Sequence, residues 1–451
     1  MSLDAARESL FRQMRQTARE IFDYALAQAS IANALFRHVH YERGVLRICE
    51  DLYDLNSFSR IAVISIGIAA HAMADALTQH IGHPAPENSL TGIVAGSVEP
   101  ASQLRGYRYF LGGHPAPNGE SLLAANAILK LLDSQTAASL VIFLVGAGGS
   151  SIVEKPVDDE ISLNELLETY RALDHSGAPI GEIDTIRKHI SAVKGGRLAR
   201  AAFPAHQVSL LVSDILGATP DALASGPTMP DSTTVEDCYR IAERRALIDR
   251  LPNSTRELFE RRALEETPKS GDQAFYRSRY WTILSNDSAL AHARAGAGKA
   301  GFAVHVDNSC DRWGYAAAGE YLLKKLRDLR RTYPRVCLLS GGELTVELTV
   351  KLTNAGIGGR NHQFALACAE KIAGENVTIL SAGTGGIDGN SPAAGAIVDG
   401  TTSDRARAAG LDIPRALATF DAHPLVKVLG DSVETAPAGN NLGDLRILLA
   451  Y

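Results

Sequence analysis

Apolar positions in this chain gather into blocks whose spacing changes from one block to the next. Over residues 4 to 35, Leu10, Phe11, Met14, Ala18, Ile21, Phe22 and Ala25 recur at helical intervals, which predicts a helix. "RIAVISIG" (60–67) then reads as a buried strand and "IAAHAMADALTQHI" as a small-residue helix behind it. "LTGIVAGS" (90–97) predicts another strand, and a helix is expected at about 120–133, behind the Gly/Pro loop "LGGHPAPNGE". "SLVIFLVGAGGSS" and "HQVSLLVSDILG" (206–217) each predict a strand that runs into a loop. The runs "AVISI", "VIFLV" and "VSLLV" are apolar on both faces, as parallel strands covered by helices on both sides are. The alternation predicts a doubly wound, mostly parallel α/β sheet.

A second unit is expected after the polar helices of about 233–268. "YWTILSNDSALAHARAGAGKAGFAVHV" reads as strand, helix, strand. "VCLLSGGE" is a strand with a Gly-Gly-Glu corner, and "LTVELTVKL" after it alternates like a strand. "NHQFALACAEKI" predicts a helix and "NVTILSAGTGGIDGN" a strand with a glycine loop. The domains are placed at 1–275 and 276–451, and the last segment is allowed to pack on the first lobe. The helix at 4–35 has two open uses, as a cover for the first lobe or as a homodimer contact.

With 451 residues, 45% of them hydrophobic, the chain can bury two cores. A net charge of −6 and the lack of a basic stripe argue against nucleic acid as a partner. The N-terminal stretch has no apolar signal core, and no run reaches the ~18 apolar residues of a membrane helix. Five widely spaced cysteines without a CxxC pair read as reduced thiols, so the expected setting is the cytoplasm, with no membrane partner.

Loops after strands hold the candidate chemistry, since open α/β sheets bind ligands beyond strand carboxyl ends. Four stand out: Gly146 to Ser151, Ser213-Asp214, Gly341-Gly342-Glu343 and "AGTGGIDGN". In the first, Gly148, Gly149 and Ser150 offer N–H groups to an anion, or simply form a turn that needs positive φ; both readings stand. It is neither a Walker loop nor G-x-G-x-x-G. "DTIRKHISAVKGGRLA" concentrates Arg187, Lys188, His189 and Lys194, as a solvated helix face or an anion clamp. Arg360 follows two glycines and opens an apolar helix with Asn361 near its cap, a placement suited to an anion. Asp214, Glu343 and Asp388 are turn or capping residues, or a base or Mg²⁺ ligands.

"GGHPAPNGES", "TIRKHISAVKGGRLARAAFPA", "VSDILGATPDALASGPTMPD", "LSGGELTV", "GIGGRNHQFALA" and "SAGTGGIDGNSPAAGAIVDG" follow one another over about residues 60 to 445. In this order they resemble the glycerate 2-kinase family with a MOFRL C-terminal domain, some of whose members carry the label hydroxypyruvate reductase. The resemblance implies a larger doubly wound lobe, a smaller MOFRL-type α/β lobe and an active-site cleft between them. It implies ATP- and Mg²⁺-dependent phosphoryl transfer to the 2-hydroxyl of D-glycerate, with the acid and the nucleotide as partners. The expected catalytic residues are Arg360, Lys194, Asp214 and Asp388, the two acids also as metal ligands. Substrate and phosphate are expected on Gly148, Gly149, Ser150, Arg187, Lys188, His189, Ser213, Glu343 and Asn361. Glu182, Ser225, Gly226 and Thr228 match family positions too.

The chain departs from the family at three of its loops. Where the family reads G-x-G-K-A-A-x-x-M, this chain has Ile68 at the lysine. Ala147 replaces a glycine and Gly146 a serine in the S-G-G-G-S loop, and Gly385 replaces the first acid of G-T-D-G-x-D-G. "TAPAGNNL" (435–442) loses hydroxyls. His71 or Lys188 could replace the missing cation. The main expectation is a small-acid kinase, followed by a divergent sugar-acid binder without kinase activity. A reductase comes last, because no dinucleotide fingerprint is present. Arg360→Ala is expected to abolish ligand binding and leave the fold intact.

Overall fold

The computed structural model describes residues 3–82, 90–217, 219–346, 356–435 and 441–451. The chain divides into two compact units, one of residues 31–213 and 217–283, the other of residues 1–30, 214–216 and 284–451.

The first unit is built on a six-stranded sheet. Its strands are β1 (Arg60–Ile66), β2 (Thr91–Gly96), β3 (Tyr107–Leu111), β4 (Ser139–Gly146), β5 (His206–Ser213) and β6 (Ser278–Ser285). They lie in the order β3-β2-β1-β4-β5-β6, and the pairs from β3 through β5 are parallel. Every residue of β4 is buried, which is why its sequence is apolar without alternation. The helix Gly119–Asp133 starts on a capping box between Asn118 and Ser121, right after the Gly/Pro loop that predicted its start. Strand order reverses between β1 and β4, and a doubly wound sheet opens a ligand crevice at that point. An antiparallel three-stranded meander over 39–54 belongs to the same unit.

The second unit also has a six-stranded sheet. Its strands are β7 (Ala303–Val306), β8 (Val336–Gly342), β9 (Val377–Gly383), β10 (Gly395–Asp399), β11 (Ser432–Val433) and β12 (Asp444–Ala450). The order is β7-β8-β12-β9-β10-β11. β12 is antiparallel to both β8 and β9, so those two strands run the same way and their glycine loops open at one end. Asp444 pairs with Gly342 on one side and Gly383 on the other, between the two loops.

The N-terminal helix, expected over 4–35 within a 1–275 domain, is two helices, Leu3–Gln28 and Ile31–His38. The longer one buries Met14, Ala18, Ile21, Phe22 and Ala25 against Leu290, Ala293, Leu445 and Ile447. It therefore belongs to the unit that holds the C-terminal sheet, and the division after its last turn departs from the expected domain border. The stretch "LTVELTVKL" lies largely outside the described residues, as does most of "TAPAGNNL".

Candidate active site

In the first unit, two loops meet where the strand order reverses. The Ile68 N–H donates to the Ala147 carbonyl at 2.9 Å, tying the loop after β1 to the loop after β4. Gly148 has φ +75°, and a Cβ there would lie 2.9 Å from Ile68 and 3.1 Å from His114. A Cβ on Gly149 would lie 2.8 Å from Ala224. Conformation at Gly148 and close packing at Gly149 thus account for the glycines. Gly148 and Ser150 remain half-buried at the crevice. The helix behind them, Gly149–Ile152, is a single turn, so its dipole is weak. Ser151 Oγ lies 3.1 Å from His114 Nδ1 and donates to the Gly148 carbonyl. Ile68, where the resemblance leads one to expect a lysine, is 37% exposed.

The basic stretch of this unit is not one anion clamp. Successive helix residues point about 100° apart, so Arg187, Lys188 and His189 face different neighbours. Arg187 bonds Asp174 at 2.8 Å and lies over the Tyr170 ring. Lys188 is buried among Asp184, Asp221 and Asp231, at 3.6, 3.3 and 3.3 Å. His189 is enclosed between the Thr185 carbonyl and Glu266. Lys194, expected as an ammonium beside bare backbone, is 1% exposed. It is ion-paired with Glu154, which is 0% exposed, and also reaches Tyr170 Oη at 3.2 Å. Burial pushes the Lys194 pKa down to about 7. Glu154 also accepts from Ser191, Tyr170 and the Lys155 N–H, so both of its oxygens are engaged. Lys194, expected beside bare backbone, is thus enclosed with Glu154 and Tyr170. His71, proposed as a substitute cation, lies 3.2 Å from the Tyr109 hydroxyl. Ser225 donates to Asp184, Thr228 accepts from Ser209, and Glu182 pairs with Arg244 and Arg245. Ser213 ends β5, half-buried.

In the second unit, Arg360 opens the helix Arg360–Lys371, as expected. Its Nε donates to Asp444 Oδ2 at 2.6 Å, and Nη2 to Asp444 Oδ1 at 3.1 Å and Glu343 Oε1 at 2.6 Å. Asp444 is fully buried, and nothing in the sequence marked it except an acid ahead of an apolar run. Burial, with Arg360 opposing it, raises the Asp214 pKa; the same pair of influences, plus repulsion from Asp444 and Asp214, raises that of Glu343. Glu343 and Asp444 thus share one guanidinium at the strand ends, and Asp214 lies within its electrostatic reach.

Asp388, expected as a base or metal ligand, is a different case. Its Oδ1 accepts from the Asn361 N–H and side-chain amide at 3.1 and 3.2 Å. Its Oδ2 accepts from the His362 N–H at 2.9 Å and sits 2.5 Å from His362 Nδ1. Both oxygens are spent capping the first turn of the helix that Arg360 opens. Asn361 is 1% exposed, and its Oδ1 accepts from Ser381 Oγ at 2.7 Å. His362 Nε2 in turn lies 3.3 Å from His423 Nδ1.

Mg²⁺ is usually held by one or two carboxylates plus substrate phosphates and water. Among the described residues no three acids, histidines or cysteines converge as a metal cage. Glu343 Oε2 and the Asp214 carboxylate are not engaged by Arg360, so that pair fits such a partial site, whereas Asp388 does not.

A doubly wound α/β unit with a crevice at its strand reversal, followed by an α/β unit carrying an arginine–carboxylate cluster on glycine loops, defines a two-unit α/β enzyme fold. Residues 17–260 match a domain described as of unknown function, DUF4147, and residues 336–444 match the MOFRL family. A D-glycerate 2-kinase of Thermotoga maritima is 34% identical over 88% of this chain and 92% of its own. A protein of Agrobacterium vitis with a provisional hydroxypyruvate reductase name is 35% identical over 96% and 94%. The crystal structure of a Thermotoga maritima glycerate kinase superposes with a TM-score of 0.83 at 30% identity, over 98% of this chain and 100% of that one. The chain belongs to the glycerate 2-kinase family with a MOFRL domain. Among the described residues no helix is long and apolar enough to cross a membrane.

Proposed function

We propose that this chain transfers the terminal phosphoryl group of ATP to the 2-hydroxyl of D-glycerate, or to the corresponding hydroxyl of a related small acid, with Mg²⁺. The observation that carries the reading is the convergence of Arg360, Glu343 and Asp444 where two glycine loops open, in a chain 34% identical to a D-glycerate 2-kinase. Phosphoryl transfer depends on positioning and charge stabilisation more than on covalent help from the protein. Asp444 fixes the Arg360 guanidinium, and Glu343 and Asp214 present the carboxylates that would hold Mg²⁺, whose charge would offset that of the phosphates. Gly148, Gly149 and Ser150 contribute backbone N–H groups in the first unit. The cytoplasm is the proposed setting.

One observation favours a second reading, a sugar-acid binder that does not transfer phosphate. Ile68 stands where the family has its lysine, and Lys188 and Lys194 are both committed to buried carboxylates.

The test is ATP consumption against a panel of small hydroxy acids, D-glycerate first, with and without Mg²⁺, and phosphorus NMR of the product. Turnover is the expected result. Silence across the panel by folded protein would overturn the kinase reading, and NADH oxidation with hydroxypyruvate would replace it with a reductase.

A further inference from the structure

A depression of ≈ 340 Å³ lies in the second unit beside Arg360. Leu344, Val346, Phe420 and the Gly358 backbone give it mostly apolar walls. One lining side chain does not fit an apolar wall. Gln363 is 2% exposed, and neither its Oε1 nor its Nε2 has a hydrogen-bond partner. An amide buried this way leaves a donor and an acceptor unpaired, a cost that native cores rarely carry without a reason.

The neighbouring amide shows the contrast. Asn390, on the same rim, is satisfied at both ends, accepting from the Gly358 N–H at 2.8 Å and donating to the Gly356 carbonyl at 3.1 Å. Gln363 comes one turn after Arg360 on the same helix, so its position is fixed by the element that carries the guanidinium.

Charge narrows the ligand. Arg360 is the one ionisable group on the described lining, and its Nε and Nη2 are already bonded to Asp444 and Glu343. Two carboxylates on one guanidinium offset its charge, so the described lining favours a neutral ligand over a phosphate or a carboxylate. A neutral ring with apolar faces and an adjacent donor–acceptor pair on its edge would satisfy both walls and amide. A carboxamide pairs in this way with the amino group and ring nitrogen of adenine.

We propose that this depression seats the adenine ring of the nucleotide and that Gln363 reads its edge through two hydrogen bonds. The inference rests on the reading of the chain as an ATP-dependent kinase. It places the base in the Arg360 depression and leaves the phosphates to the Mg²⁺ that Glu343 and Asp214 would hold beyond that residue.

The experiment is titration calorimetry of the full chain with ADP, adenosine and inorganic tripolyphosphate, repeated on Gln363→Leu and Gln363→Asn. Leucine removes an orphaned amide, so the ligand-free variant is expected to melt no lower than the parent. Its affinity for ADP and adenosine is expected to fall on the order of 10- to 100-fold while tripolyphosphate binding stays unchanged. Gln363→Asn keeps the amide but shortens its reach, and is expected to weaken ADP in the same direction. Unchanged ADP affinity in both variants, equal losses for ADP and tripolyphosphate, or no ADP binding by the parent would overturn the proposal. The two readings fail separately. Gln363-dependent ADP binding without turnover on any acid would sink the kinase reading alone, and turnover with ADP binding indifferent to Gln363 would sink this one alone.

Discussion

Arg360 grips Asp444 with two nitrogens, Nε at 2.6 Å and Nη2 at 3.1 Å, and the carboxylate it holds is fully buried. The pair joins the start of a helix to the start of β12, 84 residues apart. Arg360→Ala is therefore expected to do more than remove a ligand contact. It leaves Asp444 buried with only the longer Arg446 Nη1 contact at 3.8 Å, at a cost of about 2–4 kcal/mol, under the full buried-pair value because a third of Arg360 is exposed. Chemical denaturation should show the loss, and Arg360→Ala with Asp444→Asn should recover much of it. The expectation that this substitution spares the fold is thus revised. Equal stability of Arg360→Ala and parent would show that Asp444 finds another partner.

Lys194→Met tests the other buried pair. Glu154 would be left in the core without its partner, so the variant is expected to lose about 3–5 kcal/mol. Lys194→Met with Glu154→Gln should be more stable than Lys194→Met alone. If Lys194 acted on phosphate, the single variant would instead keep its melting temperature and lose kcat.

Ile68→Lys returns a cation to the crevice between β1 and β4. The side chain is already 37% exposed, so a lysine can reach solvent without burying its charge. Phosphoryl transfer is expected to rise on the order of 10-fold or more, since a single well-placed charge-stabilising group is worth at least that much in other sites. A steady-state assay with D-glycerate measures it. No gain would mean that this crevice does not face the transferring group.

Glu266 provides a pH-dependent element. Burial works against its ionised form, but the hydrogen bonds from Lys269 and His189 win and hold its pKa down to about 2. A carboxyl lowered on folding adds stability that is complete above its unfolded value, near 4.5, and is lost as pH falls towards 2. The gap in melting temperature between the parent and Glu266→Gln should therefore be widest above pH 5 and shrink on acidification. A gap that does not depend on pH would remove Glu266 from that role.

What the sequence revealed and what it concealed divide along physical lines. β4 was legible because a strand buried on both faces leaves a run with no polar residue, and the loop glycines marked its end. The helix opened by Arg360 was legible from its preceding glycines and apolar repeat. β12 was not predicted, because Arg446 interrupts "DLRILLA" and a buried guanidinium makes the segment look exposed. Partners of charged groups were the least legible. Lys194 meets a glutamate 40 residues earlier, and Asp388 caps a helix 27 residues before it. Spacing along the chain carries no trace of either contact. Residue types were read correctly as charged and loop-borne, but the distinction between a charge free to act and one already neutralised exists only in three dimensions.

The place of β12 has a consequence for how the molecule is made. Residues 444–450 are the centre of their sheet, flanked by β8 and β9, although about sixty residues separate them from the nearer of the two. During synthesis β8 and β9 leave the ribosome with no strand between them, and the helix Leu3–Gln28 waits for a core that includes Leu445 and Ile447. The 31–283 part of the chain, whose sheet is complete by Ser285, can form while translation continues. The rest must hold open strand edges until residues 444–450 arrive, a window in which a chaperone has the most to protect.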